Sequence, residues 1–306
     1  MKYSNETYPI RTLFNVDCPE TCITRIVTDV TSLDRDHVPQ VHDYWYSDKL
    51  KDVLNYLADP RSEALYISGS TGNGKTSLIV ESAARLNWPC ISISVGSDLK
   101  PEDLIGKYRA GRDGEVFTEG PLLKAARRGY IFVLNVNGTD NLSADVVAVL
   151  KDTVEQQMIN ICNDTEVIRV NRLFRLVVTG SACEVEPGNQ ATSELLEICR
   201  ICKVPTPAEK DFKAIIGRKF QDLFPAELQI ISGSLAAFQK IQGASHLVNI
   251  RQALKWAGLY RQNRNSDNPF HRTLERAVLY RMAEPDREVW YKTLDKILVK
   301  KGIKKP

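Results

Sequence analysis

The sequence predicts an α/β protein, with a parallel sheet covered by helices on both faces and a second, all-helical domain. Short apolar runs alternate with segments whose apolar residues recur at helical spacing, which is typical of βαβ units. A glycine-rich turn joins the first of these runs to the helix after it. Beyond Pro205 and Pro207 only amphipathic helices are indicated. These observations predict a sheet-based domain followed by a helical one.

Four core strands are predicted from apolar runs rich in β-branched and aromatic residues, at 64–68, 90–95, 130–134 and 176–179. The segment 165–175 before the last run is predicted to form a β-ribbon. The helix after the first strand is marked by Leu78, Ile79, Ala83 and Leu86. Another helix is predicted over 143–157 from Val146, Val147, Leu150 and Val154 at helical spacing, with Ser143 as its N-cap.

Three segments are predicted: an N-terminal extension (1–37), an α/β core (38–207) and a helical domain (208–306). One helix of the last segment is marked by Phe212, Ile215, Ile216, Phe220 and Leu223, and another by Leu247, Ile250, Leu254 and Ala257. The C-terminal tail carries five lysines between Lys296 and Lys305. We interpret that tail as a solvated, frayed end rather than as a phosphate-binding arm.

Charge and hydropathy narrow the range of partners. The 306 residues carry a net charge of +3, which is too small to indicate a nucleic-acid or membrane partner. No run approaches the roughly 20 apolar residues that span a bilayer, and the N-terminus lacks the apolar core of a signal peptide. We therefore expect a cytoplasmic protein without a membrane partner.

Seven cysteines are scattered without a disulfide framework, which indicates a reducing environment. Two close pairs, Cys18 with Cys22 and Cys199 with Cys202, would each supply half of a zinc site. No histidine lies near either pair. We therefore prefer buried free thiols to zinc.

The stretch "GSTGNGKT" at residues 69–76 matches the phosphate-loop pattern G-x-x-x-x-G-K-[ST] in full. Glycines allow the backbone to form a nest of N–H groups around phosphate oxygens, and the following helix presents its positive end to the same anion. Lysine reaches the β- and γ-phosphates, and the threonine hydroxyl can bind Mg²⁺. The predicted nucleotide-binding residues are Gly69, Ser70, Thr71, Gly72, Asn73, Gly74, Lys75, Thr76 and Ser77.

Several segments resemble the MoxR-related branch of AAA+ ATPases. "SAARLNWPCISISVGSDLKPEDLIGKY" is similar to the segment after the phosphate loop in the small ATPase subunit of cobaltochelatase. The lead-in "VPQVHDYWYSDKL", the stretch "EGPLLKAARRGYIFVL" and the later "HLVNIRQALKWAG" are similar to the same subunit. The branch also includes the CbbQ/NorQ activase proteins and dynein-type modules. The resemblance covers most of residues 38–300.

The resemblance implies a five-stranded parallel AAA+ sheet with a C-terminal helical lid, and ATP with Mg²⁺ as ligands. It implies a ring of identical subunits, commonly a hexamer, that remodels or loads a partner protein. A protein with a von Willebrand A-type domain is a frequent companion in this branch. The cobaltochelatase reaction itself needs large partner subunits, so the resemblance does not fix the substrate.

The end of the third predicted strand departs from the family pattern. Asn135 occupies the position of the Mg²⁺-orienting aspartate in the second acidic motif (Walker B), and Val136 that of the catalytic glutamate. An amide oxygen can still bind a metal-bound water, so Thr76 and Asn135 are the predicted metal site. A valine can neither accept a proton nor orient water, and losing a general base costs about 10²–10⁴-fold in rate.

Two nearby acids, Asp140 and Glu155, are candidate replacements for the missing base. Asp140 follows a turn-forming "NGT" and is interpreted mainly as part of the start of the next helix, whereas Glu155 lies too far along that helix. The family's sensor-1 position is filled by Ser181, whose hydroxyl can still position water. Arg251 matches sensor 2, and Arg200 is a candidate arginine finger. A structural or surface role was the alternative for both arginines.

These features predict an ATP-binding ring subunit that acts as a chaperone-like remodeller and hydrolyses ATP weakly or not at all. The first alternative is a nucleotide-gated scaffold ring in which hydrolysis plays no part. The second is a nucleic-acid motor, with Arg169, Arg172 and Arg175 of the ribbon gripping a strand. Near-neutral net charge and the absence of aromatic clusters disfavour that second alternative.

Overall fold

The computed structural model describes residues 1–42, 44–46, 49–96, 98–111, 114–136, 142–161, 166–181, 190–241 and 247–302. The chain forms two compact units. The first comprises residues 1–42, 46–69 and 75–204, and the second comprises residues 70–74 and the chain from Pro205 onward, together with Tyr44 and Trp45. The predicted domain boundary near residue 207 thus lies close to Pro205, where the C-terminal part of the second unit begins.

The elements of the first unit are, in chain order, β1 (Lys2–Tyr3), β2 (Tyr8–Pro9), α1 (Ile10–Phe14), β3 (Ile23–Thr24), β4 (Val27–Thr28), α2 (Ser32–Arg35), α3 (Leu50–Ala58), β5 (Ala64–Ser68), α4 (Lys75–Arg85), β6 (Cys90–Ser94), α5 (Pro101–Ile105), β7 (Gly106–Gly111), β8 (Gly114–Glu119), α6 (Pro121–Arg128), β9 (Ile131–Asn135), α7 (Ala144–Glu155), β10 (Met158–Asn160), β11 (Val167–Arg169), β12 (Arg175–Gly180), α8 (Gln190–Glu197) and β13 (Cys199–Lys203). The elements of the second unit are α9 (Glu209–Lys219), α10 (Pro225–Phe238), α11 (Ile250–Gln262), α12 (Pro269–Ala277), a 3₁₀ turn (Leu279–Arg281) and α13 (Glu284–Lys300).

The central sheet has five parallel strands in the order β13-β5-β12-β9-β6. All residues of β5 and β12 are buried. This burial on both faces explains why their sequences are nearly continuous apolar runs, rather than an alternation of apolar and polar residues. The four predicted core strands are all present, and β13 is the fifth. The predicted AAA+ α/β fold is therefore confirmed.

The register brings polar residues to one edge of this sheet. Asn135 at the end of β9 lies opposite Thr179 of β12 on one side and Ser94 of β6 on the other. Ser68 at the end of β5 lies opposite Gly180. Because ligands of open α/β sheets bind at the carboxyl ends of the strands, this edge is where a site is expected.

Four short antiparallel pairs lie outside the central sheet in the described residues: β1–β4, β2–β3, β7–β8 and β10–β11. The pair β7–β8 was not predicted, although the sequence "RDG" between two alternating segments is a hairpin signal. The predicted ribbon at 165–175 contains one short strand, β11, whose partner β10 comes earlier in the chain. The sequence pattern therefore indicated a ribbon in this segment but did not identify β10 as the strand that pairs with β11.

The N-terminal residues predicted as an extension pack within the first unit. Val27 and Phe14 are buried, and the Val27 N–H donates to the Leu86 carbonyl at 2.8 Å. The Tyr3 ring meets Trp88 edge-on, and its hydroxyl donates to the Leu57 carbonyl at 2.7 Å. These residues therefore contribute to the core of the first unit.

Helices make up the second unit, and its described residues from Pro205 to 302 contain no strand, in line with the sequence pattern. Its core centres on Phe238, Trp256 and Trp290, all with no exposed surface. The predicted helix through Leu223 ends earlier, since α9 stops at Lys219 and Phe220 follows it in a non-helical conformation. No helix in the described parts of the chain is both long enough and apolar enough to cross a membrane.

Candidate functional site

The phosphate-loop pattern lies between β5 and α4, as the sequence predicts. Gly72 and Gly74 have φ of +83° and +80°, a backbone conformation that L side chains rarely adopt. A Cβ on Gly72 would lie 2.7 Å from Asn249 Oδ1, so both backbone conformation and space require glycine. The loop therefore has the left-handed turns that an anion-binding nest requires.

Lys75 and Thr76 begin α4, an eleven-residue helix whose N-terminal end faces the loop. The Lys75 ammonium donates to the Gly69 carbonyl at 2.7 Å, which brings its charge back over the start of the loop. The positive end of the helix and this ammonium both favour an anion. Both features were predicted from the motif.

Asn135 connects four elements at the carboxyl edge of the sheet. Its Oδ1 accepts hydrogen bonds from the hydroxyls of Thr76, at 2.5 Å, and Thr179, at 2.9 Å. Its Nδ2 donates to Ser92 Oγ and to the Ile93 carbonyl, each at 2.9 Å. Every polar group of this amide is thus used, and one of its partners is a carbonyl that can only accept.

Val136, which the resemblance predicts at the position of the family's catalytic glutamate, is part of the hydrophobic core. Its side chain is 3% exposed and belongs to the apolar cluster of the first unit. Its N–H donates to the Thr179 carbonyl at 2.8 Å, so the backbone at this point continues the strand pairing. A side chain held in this way contributes packing and no acid–base chemistry.

The other residues considered for the site differ in how close they lie to Asn135. Ser181 is exposed directly after β12, whereas Thr179, two residues earlier, reaches Asn135. Thr179 was missed because it lies within a buried apolar strand, where a threonine is commonly a packing residue. Glu155 is exposed at the end of α7, and Asp140 lies outside the described residues.

The two predicted arginines have different environments. Arg200 on β13 forms an ion pair with Glu63, with Nε and Nη2 each 2.9 Å from Oε2, and its guanidinium lies over the Tyr56 ring. These contacts support the structural alternative for Arg200. Arg251 in the first turn of α11 has an exposed side chain, and its N–H donates to the Gly72 carbonyl at 3.2 Å. Arg251 is thus adjacent to the phosphate loop.

The cysteines that the sequence singled out are free thiols. Cys199 and Cys202 lie on β13, and burial raises the pKa of the Cys199 thiol to about 12. Among the described residues, no group of three or more histidines, cysteines, aspartates or glutamates is placed to hold a metal ion.

The residues present fit a nucleotide phosphate chain, and the two side chains predicted to bind its metal, Thr76 and Asn135, offer neutral oxygens. The two left-handed glycines, Lys75 and the start of α4 form an anion-binding cradle. Thr76 Oγ1 and Asn135 Oδ1 are the oxygen type that Mg²⁺ prefers, with Thr179 Oγ1 3.5 Å from Thr76 Oγ1. When bound with ATP, Mg²⁺ neutralises phosphate charge.

A five-stranded parallel sheet, a phosphate loop that follows its strand β5 in the chain, and a helical second unit are the parts of an AAA+ α/β fold. The family described as "AAA domain (dynein-related subfamily)" matches residues 64–199. These findings confirm the resemblance to MoxR-related AAA+ ATPases that the sequence predicts, with CobS among the similar proteins.

The chain is 33% identical over 122 residues to protein NorQ of Paracoccus denitrificans, which is 40% of this chain and 39% of NorQ. It is 26% identical over 180 residues to the aerobic cobaltochelatase subunit CobS of a Sinorhizobium species, which is 57% of this chain and 52% of CobS. The chain thus spans about half or less of these relatives' length. A RuvB mutant from Thermotoga maritima shares the fold, with a TM-score of 0.53, 15% identity, and coverage of 88% of this chain and 86% of RuvB.

Proposed function

We propose that the chain is an ATP-binding subunit of a MoxR-type ring that changes the state of a partner protein, and that its own ATP hydrolysis is weak or absent. The phosphate loop supplies binding. The end of β9 supplies an amide and a buried valine where the family has two carboxylates. Binding and release of nucleotide would then drive the partner, with hydrolysis slow or supplied by another subunit.

The observation that carries this proposal is the environment of Asn135 and Val136. The Asn135 amide donates to the Ile93 carbonyl, and the Val136 side chain is buried in the core. Neither position offers a base to activate water. Of the acids weighed as replacements, Glu155 is exposed at the far end of α7. A lost general base lowers the rate about 10²–10⁴-fold, so turnover should be low while binding is retained.

The ring and partner parts of the proposal rest on the relatives. CobS is, by name, one subunit of a cobaltochelatase, and NorQ and CobS are similar to this chain over their matched segments. A homo-oligomeric ring, commonly hexameric, and a protein partner, with a von Willebrand A-type protein as one candidate, are therefore proposed. A cytoplasmic location belongs to the same proposal.

The experiment is to measure ATP affinity and ATP turnover on the same preparation. Wild-type protein should bind ATP and show little turnover. Lys75→Ala should weaken ATP binding about 10- to 100-fold, because it removes a charge-assisted contact to phosphate. The matched control is Lys51→Ala at an exposed position of α3, which should bind ATP like wild type.

The two measurements separate the functions under consideration. Tight binding with no turnover, alone or with related subunits, would favour the nucleotide-gated scaffold. Ordinary turnover by the wild-type chain would contradict the proposed loss of hydrolysis. Absence of ATP binding would contradict the proposal as a whole.

A further inference from the structure

Two carbonyl groups of the phosphate loop accept hydrogen bonds from residues distant in sequence. The Gly74 carbonyl accepts from the Tyr44 hydroxyl at 3.1 Å. The Gly72 carbonyl accepts from the Arg251 N–H at 3.2 Å, at the start of α11. A Cβ on Gly74 would lie 3.1 Å from the same Tyr44 oxygen, so Tyr44 is closely packed on the loop.

The direction of a carbonyl fixes the direction of the next N–H. In a trans peptide the C=O of one residue and the N–H of the following residue point to opposite sides. With the Gly74 carbonyl held toward Tyr44, the Lys75 N–H must point away from Tyr44. By the same reasoning, the contact of Gly72 with Arg251 sets the direction of the Asn73 N–H.

The short segment that carries Tyr44 is itself anchored within the second unit. The Trp45 ring lies under the Arg218 guanidinium, with 5.1 Å from the ring centroid to Cζ. The Trp45 indole N–H also reaches Asp211 Oδ1 at 3.4 Å. Both partners belong to α9, so Tyr44 is held by a helix of the packed unit and not only by its chain neighbours.

We propose that Tyr44 is a positioning residue, whose hydroxyl orients the Gly74–Lys75 peptide so that the loop presents its N–H groups to the phosphate chain of a nucleoside di- or triphosphate. This inference rests on the proposed nucleotide binding and adds a residue outside the phosphate-loop motif. Tyr44 acts on the phosphates through the loop and makes no contact with the base in this role.

Tyr44→Phe is the direct test, because it keeps the ring and removes only the hydroxyl. One neutral hydrogen bond changes an equilibrium by about 2- to 10-fold. Competition against a labelled ATP should show that the affinity of Tyr44→Phe for ATP and for ADP is lower than that of wild type by this factor. AMP, which lacks the phosphates nearest the loop, should bind the variant and the wild type equally.

The control is Tyr8→Phe, since Tyr8 is on β2 and its hydroxyl contacts only the nearby Glu6 among the contacts described. It should leave all three affinities unchanged. If Tyr44→Phe fails to fold, Trp45→Leu replaces it, because it removes the Arg218 and Asp211 contacts and should weaken ATP and ADP in the same sense. Amide NMR adds a local readout, in which the Lys75 N–H resonance should shift in Tyr44→Phe.

Each result decides the inference. Equal affinities of Tyr44→Phe and wild type for ATP and ADP would overturn it. Equal weakening of ATP, ADP and AMP would also overturn it, because a general loss of the site would then explain the change. If the wild-type chain does not bind ATP, the proposed function fails first, which is a distinct outcome.

Discussion

Asp34 and Asn135 have side chains of nearly the same shape, but their hydrogen-bond partners differ in whether they donate or accept. Asp34 is 6% exposed, and its carboxylate accepts from Arg128 at 3.0 Å, from Thr31 at 2.7 Å and from the Tyr130 hydroxyl. All three partners are donors. Asn135 has two donors, Thr76 and Thr179, and it must itself donate to Ser92 and to the Ile93 carbonyl.

The difference shows why one position carries an acid and the other an amide. A carboxylate suits a site where every neighbour donates. Beside the Ile93 carbonyl, an ionised carboxylate would lose a hydrogen bond and place two acceptors together. The amide at position 135 is therefore matched to its neighbours. Restoring a family-like aspartate there changes stability as well as chemistry.

The largest expected effect is from Val136→Glu, which would place a carboxylate in the core. The valine is 3% exposed, and an unpaired buried charge costs about 3–5 kcal/mol. Urea unfolding should show that loss. Val116→Glu on β8 is the matched control, because Val116 is 59% exposed and the change should stay within about 0.5 kcal/mol. A stable Val136→Glu protein would contradict the placement of this side chain.

Asn135→Asp should lower the free energy of unfolding by a smaller amount, about 2 kcal/mol near pH 7, because the Ile93 carbonyl loses its donor. The neighbouring carbonyl should raise the pKa of the new carboxyl above the ordinary value of about 3.9. Protonation lets the carboxyl donate again. Stability relative to wild type should therefore recover as pH falls from the raised pKa toward about 3.9. Unfolding curves over that pH range provide the measurement.

Asp34→Asn should lower the free energy of unfolding least, by about 1 kcal/mol at pH 7, because charge-assisted hydrogen bonds become neutral ones. Burial acts to raise the pKa of Asp34, but hydrogen bonds from Tyr130, Thr31 and Arg128 outweigh it and lower the pKa. The stabilisation by Asp34 is thus present above about pH 3.9 and is lost only as pH falls below that value.

The two reciprocal variants should therefore respond to acid in different windows. The stability of Asn135→Asp should approach that of wild type as pH falls from the raised pKa to about 3.9. The stability of Asp34→Asn should approach that of wild type only as pH falls further, below about 3.9. Recovery of both variants in the same window would mean that the hydrogen-bond partners do not set the preference for acid or amide at these positions.

The sequence was sufficient for features that depend on local chain properties. Four strands of the sheet were visible because buried parallel strands are continuous apolar runs. The N-cap of α7 followed from Ser143, whose side chain accepts from the Val146 N–H. The phosphate loop followed from glycines whose backbone conformation other residues rarely adopt.

Other features escaped prediction, one because its local signal is weak and two because they depend on partners far along the chain. The hairpin β7–β8 is rich in glycine and polar residues and carries a weak apolar alternation. The packing of the N-terminal residues depends on Leu57, Leu86 and Trp88, which have no local relation to them. The role of Thr179 depends on β9, which lies about 45 residues earlier, and its hydroxyl reaches that strand only in the folded sheet.

The sequence by itself determined the class of fold and the loop that can hold phosphate, and it predicts the replacement of two acidic positions by Asn135 and Val136. Only the tertiary structure decided what those replacements do, because a side chain's role depends on whether its neighbours donate, accept or exclude water. Those neighbours, Thr76, Ser92, Ile93 and Thr179, come from three separate elements, α4, β6 and β12. The parallel sheet brings them together at one edge, and that arrangement makes position 135 an amide site.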